Sequence, residues 1–359
     1  MRIALPAACG LVLWCAPMPA HAAELKAAGA TFPYPIYAKW FEAFSVRHAE
    51  VKIQYQALGS EAGIRMLREG AVDFAASDMA LSDRQLAEFN GAVRHFPSVL
   101  GAVVPIYNLP SIARDLQFTP EALAQIFLGR IRKWNDPALR AANRGLQMPD
   151  REIAVVHRGD GSGTTYVWTD YLAKVSPEWR ASAGSGTRVA WPAGASAEGN
   201  EGVVKKVAET PGSIGYVEYI YAVENRLAYG AVRNQAGRYV QANLESIAKA
   251  VPADLPADLR VSITNAPDAG AYPIAAFTYL LVPARIEDPA KRQAVRDFLE
   301  WMLMSGQRQA AALGYVALPE SGVQRTAGAR RHPLRPVAHQ FSEEITNEGR
   351  YYRKARRRF

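Results

Sequence analysis

Apart from its N-terminal stretch, which holds Cys9 and Cys15, this chain has no cysteine. The remainder can form no disulfide and offers no thiolate to a metal or to nucleophilic catalysis. Histidine is scarce as well, six in 359 residues. His21 is N-terminal, His332 and His339 fall near the C-terminus, and His48, His95 and His157 show no metal-ligand spacing, so no metal site is expected; nor is a cofactor expected, since the residues below point to binding without chemistry. Long apolar runs are also missing. Past Pro17 nothing approaches the roughly 18 consecutive apolar residues of a membrane-spanning helix, and residues 274–283 are short enough to be a buried strand. No internal repeat is visible.

What the chain does have begins with a leader. Met1-Arg2, an apolar run over 3–17 and Ala20-His21-Ala22-Ala23 make a secretory signal peptide at 1–22, cut after Ala22 or Ala23. Neither cysteine suits lipid attachment, since Trp14 before Cys15 is too large and Pro6 stands where leucine is wanted before Cys9. A periplasmic location follows as the expectation. The net charge of +8 is unevenly spread: residues 322–359 carry ten Lys or Arg against three acids, so the tail holds seven of the eight charges. A nearly neutral body with a basic appendage is not the profile of a groove-binding domain, and no nucleic-acid partner is expected. The tail is read as solvated and disordered.

The body alternates strand, polar turn and helix. Residues 24–30 read as a strand entering Thr31-Phe32-Pro33 and a helix over 34–46. Residues 51–58 read as a strand ending at Gly59-Ser60, with a short helix over 62–69, and 72–76 as a strand running into Ser77-Asp78. After a strand over 100–107 and a capped helix over 119–128, a strand at 153–156 leads into the stretch VHRGDGSGTTY (156–166) and a helix over 165–175. A helix over 289–304 needs a sheet to pack on, so the chain is expected to return to the first unit near 272–282. This order predicts α/β architecture with a mostly parallel sheet, in which ligands sit at the carboxyl ends of the strands.

VHRGDGSGTTY alone is compatible with a nucleophilic serine turn, a phosphate loop or an anion cage. The nucleophile elbow fails because Asp160 and Thr164 occupy its outer glycine positions, and the phosphate loop fails because no lysine follows Gly163. An anion cage remains. Helix N-termini present free N–H groups and partial positive charge to an oxyanion, and Ser162, Gly163 and Thr164, Ser60, and Thr31 with the Phe32 N–H are small or hydroxylated enough to let one approach. Arg158 adds a fork of donors, and Asp160, two residues on, is placed to orient it. Asp78 is the unusual member, a carboxylate that makes sense only if the anion carries a proton, as phosphate does and sulfate does not. Asp78 and Thr31 could instead cap the helices that follow them. His157, in the strand next to Arg158, is read as structural, and Tyr216, Tyr219 and Tyr221 as core and lobe contacts.

Taken together, GATFP with Pro35, QALGS, VDFAASD, RGDGSGTT and GSIGYVEY resemble, in order, the motifs of the periplasmic phosphate-binding protein of the ABC-type phosphate importer (PstS family), over about residues 25–319. The resemblance implies a two-lobed, type II periplasmic-binding-protein fold, α/β with mostly parallel sheets flanked by helices and a ligand cleft between the lobes. Lobe I would comprise 23–104 plus 273–321, lobe II 105–272, and the tail 322–359. It implies inorganic phosphate as ligand, with Thr31, Phe32, Ser60, Asp78, Arg158, Ser162, Gly163 and Thr164 binding it and Asp160 as the arginine's partner. It also implies delivery to membrane permease and ATPase subunits, with no enzymatic step. A receptor for another oxyanion, or a secreted phosphatase using Ser162, are the alternatives. Glu61 departs from the pattern, which has small residues after Ser60: aimed inward it would repel an anion, whereas facing solvent it would favour the helix dipole.

Overall fold

The structure, a computed structural model, describes residues 23–89, 93–112 and 115–331. The expected leader over 1–22 and the tail beyond Arg331 lie outside the described residues. The chain opens with three strand-turn-helix units: β1 (Ala23–Gly29) and α1 (Tyr34–Ser45), β2 (Val51–Gln56) and α2 (Ser60–Arg68), β3 (Phe74–Ser77) and α3 (Asp83–Ala87). A long strand, β4 (Val93–Tyr107), then carries it to a second set of elements. These are β5 (Gln117–Phe118), α4 (Pro120–Phe127), α5 (Pro137–Ala142), β6 (Ala154–Arg158), α6 (Gly163–Val175), α7 (Pro177–Ser182), β7 (Ala195–Ala197), α8 (Gly199–Glu209), β8 (Ser213–Glu218) and α9 (Tyr219–Glu224). Short strands β9 (Ala228–Tyr229), β10 (Ala231–Arg233) and β11 (Tyr239–Val240) and helix α10 (Leu244–Ala248) follow. The chain returns as β12 (Ala275–Pro283), α11 (Pro289–Trp301), a π turn over Met302–Gly306 and α12 (Glu320–Arg331).

The main sheet runs β2-β1-β3-β12-β4-β8-β6-β7. Its outer strands pair in parallel, β1 with β2 and β3, and β6 with β7 and β8. The two central strands are antiparallel to their neighbours, because β4 leaves the first half and β12 comes back to it. Up to Ala102, β4 pairs with β12; from Val103 it pairs with β8. One strand thus belongs to both halves of the sheet.

β4 begins seven residues before the predicted strand, at Val93 rather than residue 100. Pro97 argues against a central strand, since it cannot donate to the ladder. The ladder accommodates it by a register shift between Thr278 and Tyr279, opposite Pro97 and Val99. Ser98 is the extra residue there, and its hydroxyl is held by the Thr278 carbonyl at 3.2 Å and the Tyr37 hydroxyl at 2.7 Å.

Each half is covered by helices with apolar stripes. In α1, Ile36, Tyr37, Trp40 and Phe44 are buried, and Phe44 meets Phe298 and Trp301 of α11 edge-on at 5.4 and 5.9 Å; burying a side chain such as Phe44 stabilises by roughly 1.5–3 kcal/mol. In the second half Trp168 of α6 stacks on Tyr216 of β8 at 5.1 Å. Helix α12 takes in the start of the segment read as a disordered tail. There Val323 packs on the core, and Thr326, fully buried, donates to the Gly322 carbonyl at 2.7 Å.

Candidate functional site

Thr31 and Phe32 follow β1, Ser60 opens α2 after β2, Asp78 follows β3, and Arg158 to Thr164 lead from β6 into α6. All four turns lie at carboxyl ends of strands, and the fold brings them together. A Cβ added to Gly163 would run into Ser60 Oγ and the Asp78 carboxyl group. Only glycine lets the first turn of α6 come that close to the first half of the sheet. Thr31, Ser60, Asp78, Arg158, Ser162 and Thr164 are each no more than 8% exposed.

The alternative reading of Asp78 and Thr31 as helix caps does not hold. Helix α3 starts five residues after Asp78 and is capped by Ser82 in a capping box with Gln85, while α1 has Pro33 at its N-cap position and no side-chain cap. Ser162 does cap α6, its Oγ accepting the Thr165 N–H at 3.0 Å. That bond leaves the hydroxyl proton free to be donated, so capping and anion binding are compatible.

The polarity of the other groups follows the same rule. Ser60 Oγ accepts the Asp78 N–H at 3.3 Å. Thr164 Oγ1 accepts from Arg158 Nη1 at 3.4 Å and from Asn200 Nδ2 at 3.3 Å, and Thr31 Oγ1 from Asn200 Nδ2 at 2.8 Å. The carbonyls of Thr31 and Phe32 are occupied by the hydroxyls of Tyr221 and Tyr315, both at 2.7 Å. Each of these hydroxyls thus keeps its own proton to donate.

Arg158 is 2% exposed, and its charge is answered by Asp160 in a forked pair, Nε to Oδ1 at 2.6 Å and Nη2 to Oδ2. Burial alone would raise the Asp160 pKa, but the hydrogen bonds and charge of Arg158 hold it below the ordinary range. The pair fixes the guanidinium plane and leaves Nη1 turned toward Thr164. Asp78 is different. Burial pushes its carboxyl group up to about 7, against the Thr278 hydrogen bond and the Arg158 charge, which pull it down. Oδ1 accepts from Thr278 Oγ1 at 2.7 Å, while Oδ2 is buried with no hydrogen-bond partner among the described residues. A buried acceptor without a donor costs about 1–3 kcal/mol, more if charged, so Oδ2 stands to gain from a proton, its own or one brought to it.

Glu61 faces solvent and reaches across to the other half of the sheet. Its Oε2 accepts from Arg188 Nε at 3.0 Å and Thr187 Oγ1 at 3.3 Å, and Arg188 Nη1 also donates to the Gly159 carbonyl at 2.9 Å. The Glu61 N–H donates to the Gly161 carbonyl at 3.0 Å. His157 stacks on Trp191 at 4.8 Å, and Tyr216 is buried, its hydroxyl accepting the Arg158 N–H. Both are structural, as the sequence suggested.

Three participants were not singled out from the sequence. Thr278 lies in an apolar strand, where a lone hydroxyl was its signal. Asn200, in the first turn of α8, joins Thr31 to Thr164. Arg188 sits in a loop with no pattern at all.

A family model described as a PBP superfamily domain matches residues 16–305. The phosphate-binding protein PstS of Xylella fastidiosa is 44% identical over 306 residues, covering 84% of this chain and 83% of that one. The chain belongs to this phosphate-binding protein family. PstS of Pasteurella multocida is 42% identical over 85% of this chain and 89% of its own. Among solved structures, a phosphate-binding protein from Stenotrophomonas maltophilia superposes with a TM-score of 0.66 at 19% identity, covering 86% of this chain and 94% of that one. A substrate-binding protein with bound phosphate from Clostridium perfringens gives 0.62 at 17%, covering 82% and 100%. At such identities the likeness speaks for the two-lobed binding-protein fold.

Proposed function

We propose that this protein is a periplasmic receptor that binds inorganic phosphate between two lobes, residues 23–104 with 273–321 and residues 105–272, and delivers it to the permease and ATPase subunits of an ABC importer. Thr31, the Phe32 N–H, Ser60, Arg158, Ser162, Gly163 and Thr164 donate to the phosphate oxygens, and Asp160 holds Arg158 in place. Helix N-termini at α2 and α6 add their partial charge. Family membership supports the ligand class, and one observation supports the choice of phosphate over other oxyanions: Asp78 Oδ2, buried and without a donor amid groups that donate. Phosphate brings the proton this atom lacks, and sulfate has none to give near neutral pH.

The role is binding without turnover. Ser162 Oγ is engaged with the Thr165 N–H, and among the described residues none of the hydrogen bonds around it involves a histidine that could serve as its base. Calorimetric titration of the phosphate-stripped protein at pH 8 tests the reading. Tight one-site heat with phosphate and none with sulfate supports it; equal heats from both oxyanions, or none from either, overturn it.

A further inference from the structure

Asn200 is fully buried and makes three hydrogen bonds to three different elements. Its Oδ1 accepts the Glu218 N–H at 3.0 Å, and its Nδ2 lies 2.8 Å from Thr31 Oγ1 and 3.3 Å from Thr164 Oγ1. The orientation of the amide is not a free choice. A backbone N–H only donates, so the atom facing Glu218 must be the oxygen, and the amide NH₂ must face the two threonines. Each threonine oxygen therefore receives a proton from Asn200, one from each N–H. Thr164 receives a second from Arg158 at 3.4 Å. Among the described residues neither hydroxyl donates a hydrogen bond of its own.

We infer that Asn200 turns the Thr31 and Thr164 hydroxyl protons away from itself, one from each side of the cleft, and so leaves both free to donate to an anionic phosphate oxygen. Asn200 is a positioning residue, acting through the two hydroxyls. The device is pre-organised by the backbone: the Glu218 N–H at the end of β8 fixes the amide, and the amide fixes the hydroxyls. The neighbouring Gly199 N–H donates to Asp160 Oδ1 at 3.2 Å, which ties the same helix start to the Arg158–Asp160 pair. Asp78 Oδ2, buried and without a donor, is an acceptor of a different kind in the same cleft. The inference rests on the phosphate reading above.

Asn200→Asp is the discriminating variant, because it preserves shape and the acceptor for the Glu218 N–H but reverses the other end. A carboxylate there must accept from both threonines, which turns their protons away from the ligand. Phosphate binding at pH 8 is expected to weaken about a hundredfold or more, the loss of two donors with added charge repulsion. Acidification that protonates the substituted carboxyl group restores one donor and recovers part of the loss. The charged and titratable groups around this position, Arg158, Asp160, Asp78, Glu218, Glu201 and Tyr221, are the same in the parent protein, so the difference between the two pH profiles reports residue 200. Thermal melting without ligand checks folding. If Asn200→Asp does not fold, Asn200→Ala is titrated instead, and about a tenfold loss with an intact melting transition supports the inference. Binding within about threefold of the parent in whichever variant is folded overturns it. A parent protein that gives no heat with phosphate overturns the proposed function and this inference with it.

Discussion

Replacing Asp78 by Asn should convert a phosphate receptor into one that also takes sulfate. In the parent, a ligand oxygen placed to hydrogen-bond Oδ2 would sit about 3 Å away. For an oxygen without a proton, two unit charges at that distance and an effective dielectric of about 20 repel by roughly 5 kcal/mol, a factor of 10³–10⁴ in affinity. Asparagine removes the charge and offers an NH₂ donor, so that penalty vanishes for sulfate. Phosphate loses at most one charge-assisted hydrogen bond, about 1.5–3 kcal/mol, offset in part by the new donor. A carboxyl group with a pKa of about 7 takes up its own proton at pH 8 for only about 1.4 kcal/mol, so sulfate gains about tenfold, and with the phosphate loss the ratio of sulfate to phosphate Kd at pH 8 should fall by about two orders of magnitude. The parent adds a second handle. Burial raises the Asp78 pKa to about 7, so acidification turns the carboxylate into a donor that sulfate can use. Sulfate affinity of the parent should rise about tenfold between pH 8 and pH 6 and flatten below, whereas Asp78→Asn shows no such rise. Calorimetric titration of both proteins with both anions across pH 5–8.5 reads all of this. An Asp78→Asn protein that binds phosphate yet still ignores sulfate would refute the reasoning.

The same raised pKa makes the ligand-free fold pH-sensitive. Between about pH 4 and 7 the folded state keeps a proton on Asp78 that the unfolded chain has lost, so stability is full below this window and falls as pH rises through 7, by up to about 4 kcal/mol. Denaturant titrations of parent and Asp78→Asn at pH 4 and 8 should differ by that slope, and equal slopes count against a buried proton. Gly163→Ala puts a methyl group against Ser60 and Asp78, which should abolish tight phosphate binding and lower the ligand-free melting transition; retained tight binding would mean the halves do not approach as closely when occupied. The Glu61–Arg188 pair is about half exposed on both sides, so removing either member should weaken phosphate by no more than roughly 1 kcal/mol, and salt should erase the effect. A double-mutant cycle with zero coupling would show that the pair takes no part in closure.

Local order was legible because each strand-turn-helix unit carries its own punctuation. Hydroxyl or glycine residues after β1, β2 and β6 marked the turns, and the aromatic stripe of α1 marked the covered face. The central crossing was only partly legible. Pro97 disguises the first half of β4, and only the partner strand reveals that a bulge at Ser98 accommodates it. The eight candidate ligands fall on turns that the fold does bring together, since each sits at a strand end and strand ends share an edge of the sheet.

What the sequence could not carry is the direction of protons. A threonine reads as both donor and acceptor, and which it is in the cleft depends on what occupies its oxygen, which here is an amide 36 and 169 residues away. Only the family motifs favoured Asp78 as a ligand over Asp78 as a cap, and the structure removes the cap reading, because Ser82 caps α3 and Thr278 holds one carboxylate oxygen. The consequence is physical. On the proposed reading, Asp78 Oδ2, left uncommitted where Ser82 has taken the cap and Thr278 the other oxygen, favours an anion that brings a proton over one that has none.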